Sequence, residues 1–161
     1  MWVDADPASA QTLRDGLEGD THAHVVKALA WDISGVELDF RIASNGQSSI
    51  ALALGEHNYL FPDVTVVNSV RRLTQFLDEL PAIQELRPLL LINLDIQCSE
   101  LMALHGLQQT IAECSAIYTE VNTRPLCEGC AMLPELGAFL TDAGFVRVDL
   151  AIGQDGWGDG L

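Results

Sequence analysis

Asp95, Gln97 and Glu100 follow directly on the apolar run at 89–94, within a span of six residues. A carboxylate beside a hydrogen-bonding amide is equipment for orienting a hydroxyl group or taking its proton. Two further acids hold comparable places, Asp4 after Trp2 and Val3, and Glu120 near the end of the apolar stretch at 116–121. An acid at the end of an early strand in a dinucleotide-type fold commonly holds a ribose hydroxyl pair. Each acid also has a plainer use, as favourable charge at a helix N-terminus worth up to about 1 kcal/mol. Three at one sheet edge are harder to explain as caps than one.

For these acids to meet, the chain must form parallel strands that end at a common edge. The run at 89–94, bounded by Pro88, is too short to span a membrane and predicts a buried strand. Behind it Leu101, Leu104, Leu107 and Ile111 recur at spacings of three and four, on one face of a helix. Strand, acid, turn and helix make the βα unit of a parallel sheet, in which ligands sit beyond the carboxyl ends of the strands. Upstream, Pro7 opens a helix over 7–18 closed by Gly19, and a second strand over 23–30 ends near Trp31. Period-two alternation predicts a half-exposed strand at 35–42, and Asn45-Gly46 a turn. The segment 48–54 pairs back or loops over the sheet, and 64–67 is a short strand. Leu73, Phe76, Leu77 and Leu80 then predict an amphipathic helix ended by Pro81. Leu133, Leu136, Phe139 and Leu140 predict another, with Pro134 in its first turn and Gly144 at its end. A strand at 145–150 and a loop-like tail at 153–161 complete the chain. This alternation predicts an α/β fold with a mainly parallel sheet.

At 161 residues, 48% of them apolar and 19% charged, the chain is expected to be one globular domain with a real core. A formal charge of −15 argues against nucleic acid and against an anionic membrane surface, both of which attract Lys and Arg. Neutral small molecules suit it better. Asp4 stands where a signal peptide needs an apolar core, and no apolar run reaches the roughly 18 residues of a spanning helix, so a cytoplasmic protein is expected. Its four cysteines, Cys98, Cys114, Cys127 and Cys130, are then expected to be reduced thiols. Cys127-x-x-Cys130 resembles half of a zinc site, but His22, His24 and His57 supply no second pair of suitable spacing, so no metal is expected. A thioredoxin-like role lacks the strand that should lead into a helix opened by the pair. Gly156, Gly158 and Gly160 lack the strand before and helix after that a cofactor loop requires. His105 reads as a surface residue, Ser48 and Ser49 as loop polar groups, and Trp31 and Trp157 as packing or lid residues.

The segment Asn93-Leu94-Asp95-Ile96-Gln97-Cys98-Ser99-Glu100 resembles the strand-and-turn signature of FkbM-type S-adenosylmethionine-dependent methyltransferases, Lys-x-Asp-x-Gln-Gly-x-Glu. Trp2-Val3-Asp4 is similar to the family's second strand, and Lys27-Ala28-Leu29-Ala30-Trp31-Asp32 with Gly35 to its next one. Asn45-Gly46-Gln47-Ser48-Ser49 resembles its Ser-Ser loop, and Val70-Arg71-Arg72-Leu73-Thr74-Gln75-Phe76-Leu77 a helix start. Tyr118-Thr119-Glu120, Pro134-Glu135-Leu136, Gly144-Phe145 and Gly156-Trp157-Gly158-Asp159 extend the match over nearly the whole chain.

The resemblance implies a Rossmann-like class I methyltransferase sheet with helices on both faces, in one domain over 1–161. The family's first strand and Gly-rich cofactor turn would precede Met1, so a domain truncated at its N-terminus is expected. That strand lies centrally in the family's sheet, so its absence leaves a fragment or makes the Trp2-Val3 strand pair directly with the strand at 89–94. The implied activity is methyl transfer from S-adenosylmethionine to a hydroxyl of a sugar, lipid or polyketide-like small molecule. The implied catalytic group is Asp95, Gln97, Glu100 and Glu120, with Asp95 nearest the acceptor. The implied cofactor residues are Asp4 for the ribose, and Leu29 and Trp31 near the adenine. Asn93 stands where the family has Lys, and Cys98 where it has Gly. These departures suit an alternative, a non-catalytic remnant acting as a binding or interaction module. A homo-oligomer is left open.

Overall fold

The computed structural model describes residues 1–153 and 156–160, and its first elements follow their local signals. β1 (Trp2–Asp4) leads into α1 (Pro7–Gly16), where Asp6 is the N-cap and accepts from the Ala8 amide at 3.1 Å. Pro7 sets the first helical φ where no amide donor is needed. The strand expected at 23–30 divides into β2 (Val25–Lys27) and β3 (Leu29–Ala30), because the chain changes partners at Ala28. β2 pairs in parallel with β1. β4 (Glu37–Ala43) follows, then a long loop holding the short α2 (His57–Leu60), and then β5 (Val66–Gln75). β5 takes β3 in parallel on one side and β4 antiparallel on the other. In the loop, Ile50 makes a single bridge back to Arg41, whose guanidinium donates to the carbonyls of Ala51 and Leu52.

The helix expected over Leu73 to Leu80 does not form. Residues through Gln75 belong to β5, where pairing with β4 satisfies the backbone and Arg71 reaches Glu37 at 2.8 Å across the strands. Leu73 is 62% exposed, whereas Leu77 and Leu80 are buried from a 3₁₀ turn at Leu77–Glu79. The spacing of three and four is thus shared among separate elements. Pro81 opens a helix, α3 (Pro81–Leu86), as a first-turn proline.

β6 (Leu91–Leu94) is followed by two short helices, α4 (Glu100–His105) and α5 (Gln108–Ile111), where the sequence predicts one. The break falls at Gly106, where a Cβ would lie 2.4 Å from the Trp31 carbonyl oxygen. Asp78 then caps α5 by accepting from the Gln109 and Thr110 amides at 2.7 and 3.1 Å. β7 (Ala116–Asn122) pairs in parallel with β6. α6 (Leu133–Asp142) begins with Glu135 accepting from the Met132 amide at 2.9 Å, and Gly144 follows its end at φ +94°.

The C-terminal expectations are corrected. The strand predicted at 145–150 does not form over 145–149; β8 (Leu150–Ile152) shares only Leu150 with it, and the tail predicted to be a loop forms β9 (Trp157–Gly160) between β7 and β8, antiparallel to both. Glycine is a weak strand former, yet here it is required: a Cβ on Gly158 would lie 2.4 Å from the Ala151 carbonyl oxygen. Gln154, Asp155 and Leu161, in the same predicted tail, lie outside the described residues.

The fold is therefore mixed α/β, in three sheets ordered β1-β2, β3-β5-β4 and β6-β7-β9-β8. Parallel and antiparallel pairs coexist where a mainly parallel sheet was expected. The expected pairing of the Trp2-Val3 strand with β6 is absent: among the described residues β1 pairs with β2, and β6 with β7. β6 is accordingly an edge strand, with Ile92 and Leu94 inward and Leu91 55% exposed. The main core joins these inward residues to Ile117 and Val121 of β7, Leu104 of α4, Ile83 of α3 and Leu136 of α6. A second core surrounds Cys98 and Cys127, and a third joins Ala5, Leu29 and Phe40. No helix among the described residues is long and apolar enough to cross a membrane.

Cys98 and Cys127 form a disulfide across 29 residues, with Cα atoms 6.3 Å apart. This corrects the expectation of reduced thiols throughout; Cys114 and Cys130 are free. Cysteine spacing along the chain gave no sign of the bond, because folding brings the turn after β6 against the loop after β7.

Candidate active site

The unpaired edges of β1 and β6 open onto one cleft of about 520 Å³. Val3 and Asp4 line it from β1, Leu29 and Ala30 from β3, and residues 91–94 with Asp95 and Gln97 from β6 and its following turn. Gln47 and Ser49 line it from the loop after β4. Strand geometry decides which backbone groups it receives. Trp2 donates to the His24 carbonyl at 2.7 Å and the Asp4 carbonyl accepts from Ala28 at 3.1 Å, so the alternate residue Val3 turns its N–H and C=O away from β2. Likewise the Leu90 carbonyl accepts from Ala116, so Leu91 and Asn93 turn theirs away from β7. The cleft thus combines apolar side chains, free peptide groups and carboxylates, the usual make-up of a small-molecule site.

Helix capping does not account for its acids. Asp6, not Asp4, caps α1; Asp4 Oδ1 instead accepts from the Asp6 amide at 2.8 Å. Burial, and then the Asp6 charge, raise the Asp4 carboxyl above its usual range. Asp95 is exposed to the cleft, and the N-cap position of α4 is held by Ser99. Gln97 Nε2 donates to Asp95 Oδ1 at 2.9 Å and to Glu120 Oε2 at 3.2 Å, tying the turn after β6 to β7. Glu100 is 2% exposed and accepts from the Ile96 amide at 3.2 Å, so it braces the turn from behind. Burial pushes Glu100 up to about 7, with the Asp95 charge adding to it. Burial pushes Glu120 up to about 8, helped by the charges of Glu100, Asp95 and Asp159. Carboxyl groups that titrate near neutrality are suited to proton transfer.

The turn itself is strained. Gln97 and Cys98 both have positive φ, +53° and +71°, each costing on the order of 1–3 kcal/mol in a residue with a Cβ. The Gln97 bridge and the Cys98–Cys127 disulfide hold them there.

Of the residues singled out in the sequence, Asp4, Leu29, Asp95 and Gln97 line the cleft together. Glu120 reaches it through Gln97, and Glu100 lies behind the turn. Trp31 is outside the lining, its amide bonded to the Gln75 carbonyl and its ring packed on the Ala5–Leu29–Phe40 core. The free peptide groups of Val3, Leu91 and Asn93 had no sequence signal, since an unpaired strand edge depends on tertiary pairing. His57 was also missed as a core residue; its spacing of four from Phe61 is the one available hint.

The cleft offers a carboxylate oxygen able to accept from a hydroxyl group and an apolar wall able to pack on a flat ring. Asp4 keeps Oδ2 free of hydrogen bonds from the described residues, and Leu29 offers a buried apolar wall beside it. The cleft also lies within the roughly 300–1,000 Å³ of small-molecule pockets. Comparison with protein-family models, with curated proteins and with solved structures finds no match to this chain.

Proposed function

We propose that the cleft between β1 and β6 binds S-adenosylmethionine and that the chain methylates a hydroxyl of a small neutral acceptor such as a sugar, lipid or polyketide-like compound. The observation that carries this is the convergence of Asp4 and Asp95, from the ends of strands that share no pairing, on one concave site. The finer fold reading goes with it. The parallel pairs β1-β2 and β6-β7, which line the one cleft through β1 and β6, support reading them as strands 2-3 and 4-5 of a Rossmann-like order.

When bound, the cofactor supplies an electrophilic methyl group. Asp4 would accept from its ribose hydroxyls and Leu29 would pack on the base. Asp95 orients the acceptor hydroxyl and takes its proton, while Gln97, itself anchored on Glu120, holds Asp95 in place. Alignment of the two reactants is most of what such a reaction needs. A binding module without catalysis is the second reading. It is favoured by the Gln97 bridge, which already occupies one Asp95 oxygen.

Thermal unfolding with S-adenosylhomocysteine tests the first step. At about 100 times its dissociation constant a ligand adds roughly 2.7 kcal/mol to the folded state. An upward shift in midpoint that disappears in Asp4→Ala supports the proposal. Asp95→Asn should then keep the shift and lose methyl transfer to hydroxyl acceptors at least a hundredfold. No shift in a cooperatively unfolding sample overturns it.

A further inference from the structure

Cys127-Glu128-Gly129-Cys130 forms a tight turn in which the Cys130 amide donates to the Cys127 carbonyl at 3.3 Å and Gly129 takes φ +75°. This is the type II pattern, which brings its first and last Cα atoms within about 7 Å. Disulfides span about 4.4–6.8 Å between Cα atoms, a range that overlaps the Cα separation such a turn allows between Cys127 and Cys130. Cys127 is already bonded to Cys98, and the half-buried Cys130 packs against the same core that contains that disulfide. Cys127 therefore has two cysteines beside it, Cys98 bonded to it and Cys130 three residues along the turn.

We propose that Cys98, Cys127 and Cys130 form a thiol–disulfide exchange site, with Cys130 the attacking thiol and Cys98 the one released. The Cys130 thiolate bonds to Cys127 Sγ as the Cys127–Cys98 bond breaks. The electron pair leaves on Cys98, which takes up the proton given up by Cys130. One disulfide replaces another, so no oxidant or reductant is consumed.

The surroundings suit both states. Asn122 Oδ1, buried, lies 3.8 Å from Cys98 Sγ, in position to accept from the thiol that release creates. Exchange also reaches the cleft. Cys98 holds its left-handed backbone beside Gln97 while bonded to Cys127; once freed, the turn can relax and the Gln97 bridge between Asp95 and Glu120 loses its anchor. The site is independent of the proposed activity, because it involves only the chain's own sulfurs.

Peptide mapping of the oxidised full chain tests this. The chain is incubated at pH 8 without added thiol, quenched in acid and labelled with N-ethylmaleimide. The expected result is label on Cys98 and Cys130 in complementary fractions, none on Cys127, and Cys114 labelled throughout. In Cys130→Ser the Cys98 label should fall at least tenfold. Cys98→Ser, oxidised in the same way, should carry a Cys127–Cys130 disulfide. Wild-type chain that keeps only Cys98–Cys127, with Cys130 the sole labelled member of the three, overturns the proposal even if the serine variants fail to fold. So does Cys98→Ser with Cys127 and Cys130 both fully labelled. The mapping reads disulfides alone, so an empty cofactor cleft does not affect it.

Discussion

On one side of the turn after β6 lie Asp95, Glu100 and Glu120, and on the other His57, Phe61 and Trp157. The acids are joined through Gln97 and backbone amides. The aromatic residues pack on one another: the Phe61 and Trp157 rings stack at 4.9 Å, and His57 meets the Trp157 edge at 5.6 Å. Neither His57 nitrogen nor Trp157 Nε1 has a hydrogen-bond partner among the described residues. Burial acts on both regions in opposite directions. It raises Glu100 and Glu120, so the acids favour their protonated form, and it lowers His57, so the imidazole stays neutral. The cost of buried charge is avoided by holding protons on one side and refusing them on the other.

The strongest way to break this contrast is to remove what separates the two regions. Cys127→Ala opens a disulfide across 29 residues and should cost about 3–4 kcal/mol by loop-closure entropy. Urea unfolding checks it; a loss below about 1 kcal/mol would mean that packing alone holds the turn.

The pH profile comes next. Between the ordinary 4.5 and about 7 or 8, the native state holds protons on Glu100 and Glu120 that the unfolded chain has released, so stability falls as pH rises across that window. Below 6.5 the unfolded chain protonates His57 before the native state does, so stability also falls toward acid. Glu120→Gln should flatten the alkaline limb and raise stability at pH 8 by on the order of 1 kcal/mol, allowing for partial exposure of the group. An unchanged slope would show that Glu120 is not desolvated in the fold.

The smallest effect belongs to His57→Leu. It removes two unpartnered nitrogens at similar volume, so stability at pH 7 should stay level or rise by up to about 1 kcal/mol. The acid limb below 6.5 should weaken. A loss above about 2 kcal/mol would mean that the histidine nitrogens are satisfied in solution, for instance by water.

Features set by neighbours along the chain were legible in the sequence. Pro7, Pro134, Gly19 and Gly144 mark the helix limits they were expected to mark within a few residues, and the strands at Trp2, Leu91 and Ala116 lie where apolar runs place them. An acid at the end of each of those strands was also legible, because it needs only the strand boundary. Leu73 and Phe76 misled because a spacing of three or four says nothing about whether β4 is available as a pairing partner. The glycine-rich tail misled because low strand propensity yields to a slot between β7 and β8 that only a residue without a Cβ can enter.

From the sequence by itself came an acidic chain, alternating strands and helices, and the set of acids from which a site is drawn. Only the tertiary structure decided that β1 and β6 leave a cleft instead of pairing, that Gln97 joins Asp95 to Glu120, and that Cys98 meets Cys127. The physical reason is range. Caps, turns and strand runs depend on residues a few positions apart, whereas edges, burial and disulfides depend on segments that only the finished fold brings together.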